Sequence, residues 1–280
     1  MFQNFDDYKK QHDFVLCIDS DGTAIDTMDI KHKRCFGPKM LDVFELKGEP
    51  QAILDRWNEI NLYSLTRGIN RFKGLAMALT EIDAAGQKIE DLQSIQDFAE
   101  NSPELSNAAL KRRIEENPSP GLLRALEWSN RVNEAIQALR DDEKVAFTGV
   151  KACIEKASAF ADIVILSSAN REAVTEEWAK EGLLDHVCFI CAQDICSKAE
   201  GIRRLLEKGY AKDHVLMLGD APVDLEAAKK NEVFYYPILV RYENQSWAEL
   251  KDQDLERFAE GRFAERAKEL ERAFTENLSA

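Results

Sequence analysis

The sequence predicts an α/β protein, a parallel sheet of five or more strands interrupted after its first strand by an all-helical insertion. Three observations carry that expectation. Five short apolar runs, "FVLCI" (14–18), "DIVILS" (162–167), "HVCFI" (186–190), "HVLMLG" (214–219) and "EVFYYPI" (232–238), suit strands buried on both faces. The later runs are separated by helix-like segments, "NREAVTEEWAKEGLL", "SKAEGIRRLLEKG" and "VDLEAAKKN", and Gly182 and Gly209 stand where the first two would stop. Strands and helices alternating at this spacing make right-handed βαβ units. The third observation is the long gap from residue 28 to about residue 145, which contains no convincing β run.

Apolar residues in that gap recur at helical spacing, as in "LQSIQDFAENSPELSNAALKRRI" and "LLRALEWSNRVNEAIQALR". Ser102-Pro103 reads as an N-cap and first helical position, and "NPSPG" (117–121) as a break between helices. The tail "SWAELKDQDLERFAEGRFAERAKELERAFTENL" sets Leu255, Phe258, Phe263, Ala267, Leu270 and Phe274 on one stripe. Such a stripe fits a terminal helix docking on its own core, with a dimer contact as the alternative. The expected organisation is a core from residues 1–27 and 146–240, a helical insertion over 28–145, and a C-terminal helical extension over 241–280 packed on the core.

The chain has 280 residues, 45% of them apolar, enough to bury a substantial core. A formal net charge of −14 argues against nucleic acid or an anionic membrane as a partner held by bulk electrostatics. The opening "MFQNFDDYKKQHD" is polar, unlike a secretory signal, and no apolar run approaches the roughly 20 residues needed to span a bilayer. A soluble, cytoplasmic protein is expected, monomeric or homodimeric. In that setting the six cysteines, at 17, 35, 153, 188, 191 and 196, are expected as free thiols. The cluster "HVCFICAQDIC" brings His186, Cys188, Cys191 and Cys196 together in sequence, but alternation along "VCFI" splits the thiols between faces. No second Cys/His pair stands at a finger-like distance, so a zinc site is not expected.

The chemistry is concentrated where strands end. In "FVLCIDSDGTAIDT" (14–27) an apolar strand stops on Asp19 and Asp21, which point to one side with Ser20 turned away. Gly22 permits the sharp turn off the strand and bares backbone N–H groups. The second strand ends in Ser167-Ser168, the fourth in "GDAPVD" with Asp220 and Asp224, and Lys198 stands just before a helix between the third and fourth strands. Ligands of an open parallel sheet bind at the carboxyl ends of its strands. Four carboxylates gathered there repel one another by about 4 kcal/mol per pair at 4 Å and an effective dielectric near 20. A hard divalent cation resolves the conflict, and an all-oxygen set favours Mg²⁺ over zinc. The bared amides, Ser167 and Lys198 suit the oxygens of a phosphoryl group.

"DSDGT", a serine ending the second strand, a lysine heading a helix and "GDxxxD", in that order, resemble the haloacid dehalogenase-like (HAD) hydrolase superfamily. The resemblance covers the core, and implies a Rossmann-like fold with residues 28–145 as an inserted helical cap. It further implies a phosphatase in which Asp19 is the nucleophile, forming an aspartyl-phosphate. Asp21 would protonate the leaving oxygen and then deprotonate water. Ser167 would bind the phosphoryl group, with Ser168 able to share that role, and Lys198 would hold both the group and Asp19. Mg²⁺ would be ligated by Asp19, Asp220 and the Asp21 carbonyl, with Asp224 holding metal-bound water. Members acting on carbon–halogen or carbon–phosphorus bonds generally lack an acid at the Asp21 position, so phosphate esters are favoured. Two departures stand out: Ala24 replaces a large aliphatic residue, and Lys198 lacks a following proline.

The substrate is expected to be a small phosphorylated metabolite. Within the insertion, "LYSLTRGINRFKG" (62–74) offers Arg67, Asn70, Arg71 and Lys73 as candidate substrate contacts, with Arg67 and Arg71 on one face if the segment is helical. His32 and Lys33 are weaker candidates. Two other functions compete: a phosphomutase of the β-phosphoglucomutase type, and a non-catalytic phosphoreceiver or binding module. A receiver places its lysine last, whereas here an acidic cluster follows Lys198.

Overall fold

The structure, a computed structural model, describes residue 2, residues 4–192 and residues 195–279. Strand β1 (Phe14–Ile18) is followed by seven α-helices: α1 (Met28–Lys31), α2 (Gly37–Val43), α3 (Pro50–Asn58), α4 (Arg71–Ala84), α5 (Leu92–Asn101), α6 (Asn107–Glu116) and α7 (Pro120–Gln137). The chain then alternates through α8 (Val150–Ala157), β2 (Ala161–Leu166), α9 (Arg171–Lys180), β3 (Val187–Cys191), α10 (Lys198–Glu207), β4 (Val215–Gly219), α11 (Pro222–Asn231) and β5 (Phe234–Pro237). It closes with α12 (Glu243–Glu249), α13 (Leu255–Ala259) and α14 (Ala264–Ser279). Two compact units result, Met1–Thr27 with Asp141–Ala280, and Met28–Arg140.

The first unit is built on one parallel sheet of order β3-β2-β1-β4-β5. Each expected apolar run became a strand, because side chains of a parallel sheet are covered on both faces and need no polar alternation. Leu16, Ile18, Ile163, Ile165, Leu216 and Leu218 are fully buried, and Val150, Ile154 and Trp178 pack with them from the helices. The tail stripe joins the same core: Leu255, Phe258, Phe263, Ala267 and Leu270 lie in it, and Phe274 meets Tyr235 edge-on at 5.3 Å.

The second unit has its own core, in which Trp57, Trp128, Phe72, Leu75, Leu79 and Leu110 are buried. Its aromatic centre is edge-to-face: Trp57 and Trp128 lie 5.9 Å apart at 74°, and Phe72 and Phe98 5.3 Å apart at 88°. The break at "NPSPG" holds, with Ser119 capping α7 by accepting the Leu122 N–H at 3.1 Å. The expected helix start at Ser102-Pro103 does not. Ser102 closes α5, its hydroxyl donates to Glu104 O at 2.6 Å, and Ser106 takes over as cap by accepting the Ala109 N–H at 3.1 Å. Three residues of extra chain between the two serines make the difference, since only Ser106 adjoins the periodic segment.

Not all the cysteines are free. Cys191, at the end of β3, and Cys196 form a disulfide with Cα atoms 6.4 Å apart, while Cys17, Cys35, Cys153 and Cys188 are unpaired thiols. Among the described residues no helix is long and apolar enough to cross a membrane.

At the amino edge of the sheet, Asp162 is fully buried and draws the chain entry into place. It accepts the Gln11 and His12 N–H groups at 2.9 and 3.1 Å, the His12 ring at 3.0 Å and the Tyr210 hydroxyl, which is itself 2.6 Å from the Tyr8 hydroxyl. Burial alone raises a carboxyl, but these donors outweigh it and hold Asp162 below its ordinary value. Stability from such a group is present above its unfolded pKa and is lost as pH falls through the depressed value. Asp162→Asn should therefore lower unfolding stability by about 2 kcal/mol at pH 7. In urea titrations that deficit should shrink as the medium becomes acid enough to protonate Asp162; an unchanged gap would contradict the account.

Candidate active site

Strands β1, β2 and β4 are parallel neighbours, so the residues that follow them arrive at one edge of the sheet. Ile18 is in register with both Ile165 and Leu218, and the Asp19 N–H donates to Leu218 O at 3.0 Å. Asp220 comes directly after Gly219, the last residue of β4, and Asp224 sits in the first turn of α11. Gly219 has a steric reason: a Cβ there would lie 2.3 Å from the Cβ and Cγ of Asp224.

Lys198 opens α10, where an ammonium opposes the helix dipole. Two carboxylates hold it there, Asp19 Oδ2 at 3.0 Å and Asp224 Oδ1 at 2.5 Å. The second oxygen of Asp224 accepts the Ala221 N–H at 3.1 Å, so this residue is both a counter-ion and part of the cap of α11. All four groups are inside: Lys198 is 7% exposed, Asp19 6%, Asp220 1% and Asp224 0%.

One oxygen from each of Asp19, Asp220 and Asp224 lies within 4.8 Å of the others. Burial pushes the Asp19 carboxyl well above its ordinary value; Lys198 opposes this, and Asp224 and Asp220 add to it. Burial likewise raises Asp224 against the pull of Lys198. For Lys198 burial works against the charge, yet Asp19 and Asp224 prevail and the ammonium is held above its usual range. Three buried acids and one ammonium leave an excess of negative charge. An all-carboxylate donor set of this kind fits a hard divalent cation, which can take oxygens from Asp19, Asp220 and Asp224.

The Asp21 side chain is not one of the three converging carboxylates. It accepts from Thr27 Oγ1 at 2.5 Å, an interaction that holds a second acid apart from the first. Gly22 makes the turn with φ 77°, but its N–H donates to Ile25 O at 2.8 Å and so serves the turn itself, contrary to the expectation of a bared amide there. Ser167 follows β2 and is buried, its N–H donating to Cys191 O at 3.0 Å and its hydroxyl accepting the Ala169 N–H at 3.1 Å. Ser168 is exposed.

The remaining candidates lie in the second unit. The segment before α4 is not helical, so Arg67 and Arg71 do not share a helix face; Asn70 is the cap that starts the helix, accepting the Phe72 N–H at 2.9 Å. Asn70 also donates to Leu105 O at 3.0 Å, and Arg67 is buried with Nη1 2.8 Å from Leu62 O. Arg71 donates to Asn133 Oδ1 at 2.7 Å and Ser129 Oγ at 3.1 Å over the Phe36 ring; burial lowers its pKa to about 10. Lys73 is exposed. His32 is buried and stacks on Phe36 at 4.6 Å, and Lys33 pairs with Asp29 at 2.6 Å.

Two residues inside the quoted motif had no role assigned from sequence. Thr23, fully buried, donates through Oγ1 to Asp220, and Thr27 engages Asp21. Two hydroxyls within six residues of Asp21, at Thr23 and Thr27, were the available signal. The Trp178 indole, which donates to Ser20 Oγ at 2.9 Å, left no such trace, because the contact joins residues far apart in sequence.

A family model described as haloacid dehalogenase-like hydrolase matches residues 93–236, just over half of the 280 residues, and the chain belongs to that family. The matched span includes Ser167, Lys198, Asp220 and Asp224 but not Asp19 or Asp21. Solved structures similar to this chain include a haloacid dehalogenase-like family hydrolase from Streptococcus pneumoniae, at 12% identity over 84% of this chain and 90% of that one with TM-score 0.43. A hydrolase from Pseudomonas syringae is 15% identical over 80% of this chain and 84% of its own, with TM-score 0.48. A predicted phosphoglycolate phosphatase from Haemophilus somnus is 12% identical over 81% and 86%, with TM-score 0.48. Likenesses at this level name no substrate for this chain. No curated protein matches it.

Removing the ammonium exposes how the acids are balanced. In EDTA, Lys198→Met should cost roughly 3–5 kcal/mol of stability, because it leaves buried carboxylates without a counter-charge. The cost should be larger at pH 8 than at pH 5, where the raised carboxyls can take protons. Denaturant titrations at the two pH values check this; equal losses would show that Lys198 does not neutralise the cluster.

Proposed function

We propose that the protein is a Mg²⁺-dependent phosphatase that hydrolyses a small phosphorylated metabolite through an aspartyl-phosphate on Asp19. The observation that carries this reading is the separation of two acids. Asp19 sits at the end of β1 with the Lys198 ammonium at 3.0 Å and the Asp220 and Asp224 carboxylates within 4.8 Å, whereas Asp21 is engaged by Thr27 outside that cluster. An acid neutralised by neighbouring positive charge can act as a nucleophile toward a phosphoryl dianion. An acid kept out of the cluster is available to exchange protons with solvent and a leaving group.

Asp19, Asp220 and the Asp21 carbonyl are assigned to Mg²⁺, with Asp224 supporting metal-bound water. When bound, the ion neutralises phosphoryl oxygens and fixes their orientation. The residues do the rest. Lys198 and Ser167 hold the phosphoryl oxygens. An Asp19 oxygen attacks phosphorus as the ester P–O bond breaks, and the Asp21 carboxyl gives its proton to the departing alkoxide. Asp21, now a carboxylate, takes a proton from water, whose oxygen attacks phosphorus and releases inorganic phosphate and Asp19. The inserted helical unit takes the part of the family's cap by its place in the sequence. Of the four candidate substrate contacts there, Arg67, Asn70 and Arg71 already serve their own unit's framework, which leaves exposed Lys73 as the better candidate.

Hydrolysis of p-nitrophenyl phosphate should require Mg²⁺, stop in EDTA, and fall by about three orders of magnitude or more in Asp19→Asn. Normal turnover by that variant would remove Asp19 as nucleophile. Transfer of the phosphoryl group to a sugar phosphate in place of water would identify a mutase, and phosphate release without a partner protein would reject a receiver module.

A further inference from the structure

The turn that carries Asp19 and Asp21 is closed largely by its own backbone. Ser20 O accepts the N–H groups of Thr23 at 3.3 Å, Ala24 at 2.9 Å and Ile25 at 2.9 Å, and Ala24 O accepts the Phe147 N–H at 3.0 Å. The carbonyl of Thr23 is served differently. The indole N–H of Trp247 reaches it at 2.9 Å, across 224 residues of sequence. Trp247 is fully buried and belongs to α12, in the C-terminal extension.

That helix is fastened to the same sheet. Tyr236 of β5 donates to Ser246 O at 3.1 Å, and Asn244 Oδ1 accepts the Thr148 N–H at 2.7 Å. β5 in turn pairs with β4, the strand that delivers Asp220, in register at Gly219 and Pro237. Thr23 therefore receives a donor on its carbonyl from the extension and gives its hydroxyl hydrogen to Asp220 on the other side. A β-branched threonine has few choices at χ1, so holding its backbone narrows where its hydroxyl can point.

We propose that Trp247 is a positioning residue: by holding the Thr23 carbonyl it aims the Thr23 hydroxyl at Asp220, and so makes the C-terminal extension part of the metal-binding apparatus. The proposal rests on the magnesium-phosphatase reading above. Outer-shell partners of metal ligands typically contribute about 10–100-fold to affinity or activity; Trp247 stands one hydrogen bond further out, and about fivefold is expected.

The test measures Mg²⁺ affinity by isothermal titration on the full chain, alongside kcat and KM for p-nitrophenyl phosphate. Trp247→Phe should weaken Mg²⁺ about fivefold and lower kcat by a similar factor, with KM changed less than about twofold. Thr23→Val should weaken Mg²⁺ at least as much, and the double variant should be no worse than Thr23→Val, because both act along one line. Phe258→Leu, which loosens the same core without touching the indole, should leave Mg²⁺ affinity unchanged. Should Trp247→Phe fail to fold, 3-benzothienylalanine at position 247 replaces only the N–H at unchanged ring size and should give the same fivefold loss. Wild-type Mg²⁺ affinity in the Phe or benzothienyl variant, multiplicative losses in the double variant, or an equal loss in Phe258→Leu overturns the proposal. Failure of the underlying reading is separate: the wild-type protein would then bind no Mg²⁺ and turn over no ester.

Discussion

One ammonium inside the protein governs the rest of the site. Lys198 lies between Asp19 and Asp224 at 3.0 and 2.5 Å, buried to 7% exposure. A lysine in the first turn of a helix runs against the dipole, and buried carboxylates run against both desolvation and each other. Each of these costs is tolerable only because the others are present. The sheet brings the acids together, since the neighbouring parallel strands β1 and β4 end together and deliver their next residues to one edge, and α10, after β3, brings Lys198 to them. Gly219 then leaves just enough room for the Asp224 carboxylate beside the chain.

A second constraint is the separation of Asp21 from Asp19. A single residue separates the two, yet the turn at Gly22 and the hydroxyl of Thr27 direct them to different partners. Two carboxylates in different surroundings can serve as nucleophile and as proton carrier, where two in the same surroundings would compete for one proton. The separation of the two carboxylates is thus written into fourteen consecutive residues, from Phe14 to Thr27.

Much of this was legible in the sequence, for physical reasons. Strands buried on both faces leave unbroken apolar runs, so all five were recognisable, and their carboxyl ends could be read for chemistry. Asp19, Asp220 and Asp224 followed from that rule, and Lys198 from standing at the head of a helix beside them. Local signals were read less well. Ser102-Pro103 has the composition of a helix start, but Ser106 adjoins the periodic segment and caps it instead. Arg67 and Arg71 are spaced for a helix that begins only at Arg71. The pairing of Cys191 with Cys196 depends on how the chain leaves β3, which no spacing rule conveys. Least legible were the indoles. Trp178 and Trp247 meet the first motif only through the fold, across 158 and 224 residues, and a buried tryptophan reads as core until its N–H is followed to an acceptor.

The central claim, that buried acids around a single ammonium prepare Asp19 to carry a phosphoryl group, is tested most directly by a crystal structure of the protein with Mg²⁺ and beryllofluoride. The account predicts beryllium bonded to an Asp19 oxygen, Lys198 against its fluorides, and the ion shared by Asp19 and Asp220. Beryllofluoride attached to another residue, or Mg²⁺ bound away from these carboxylates, would contradict it.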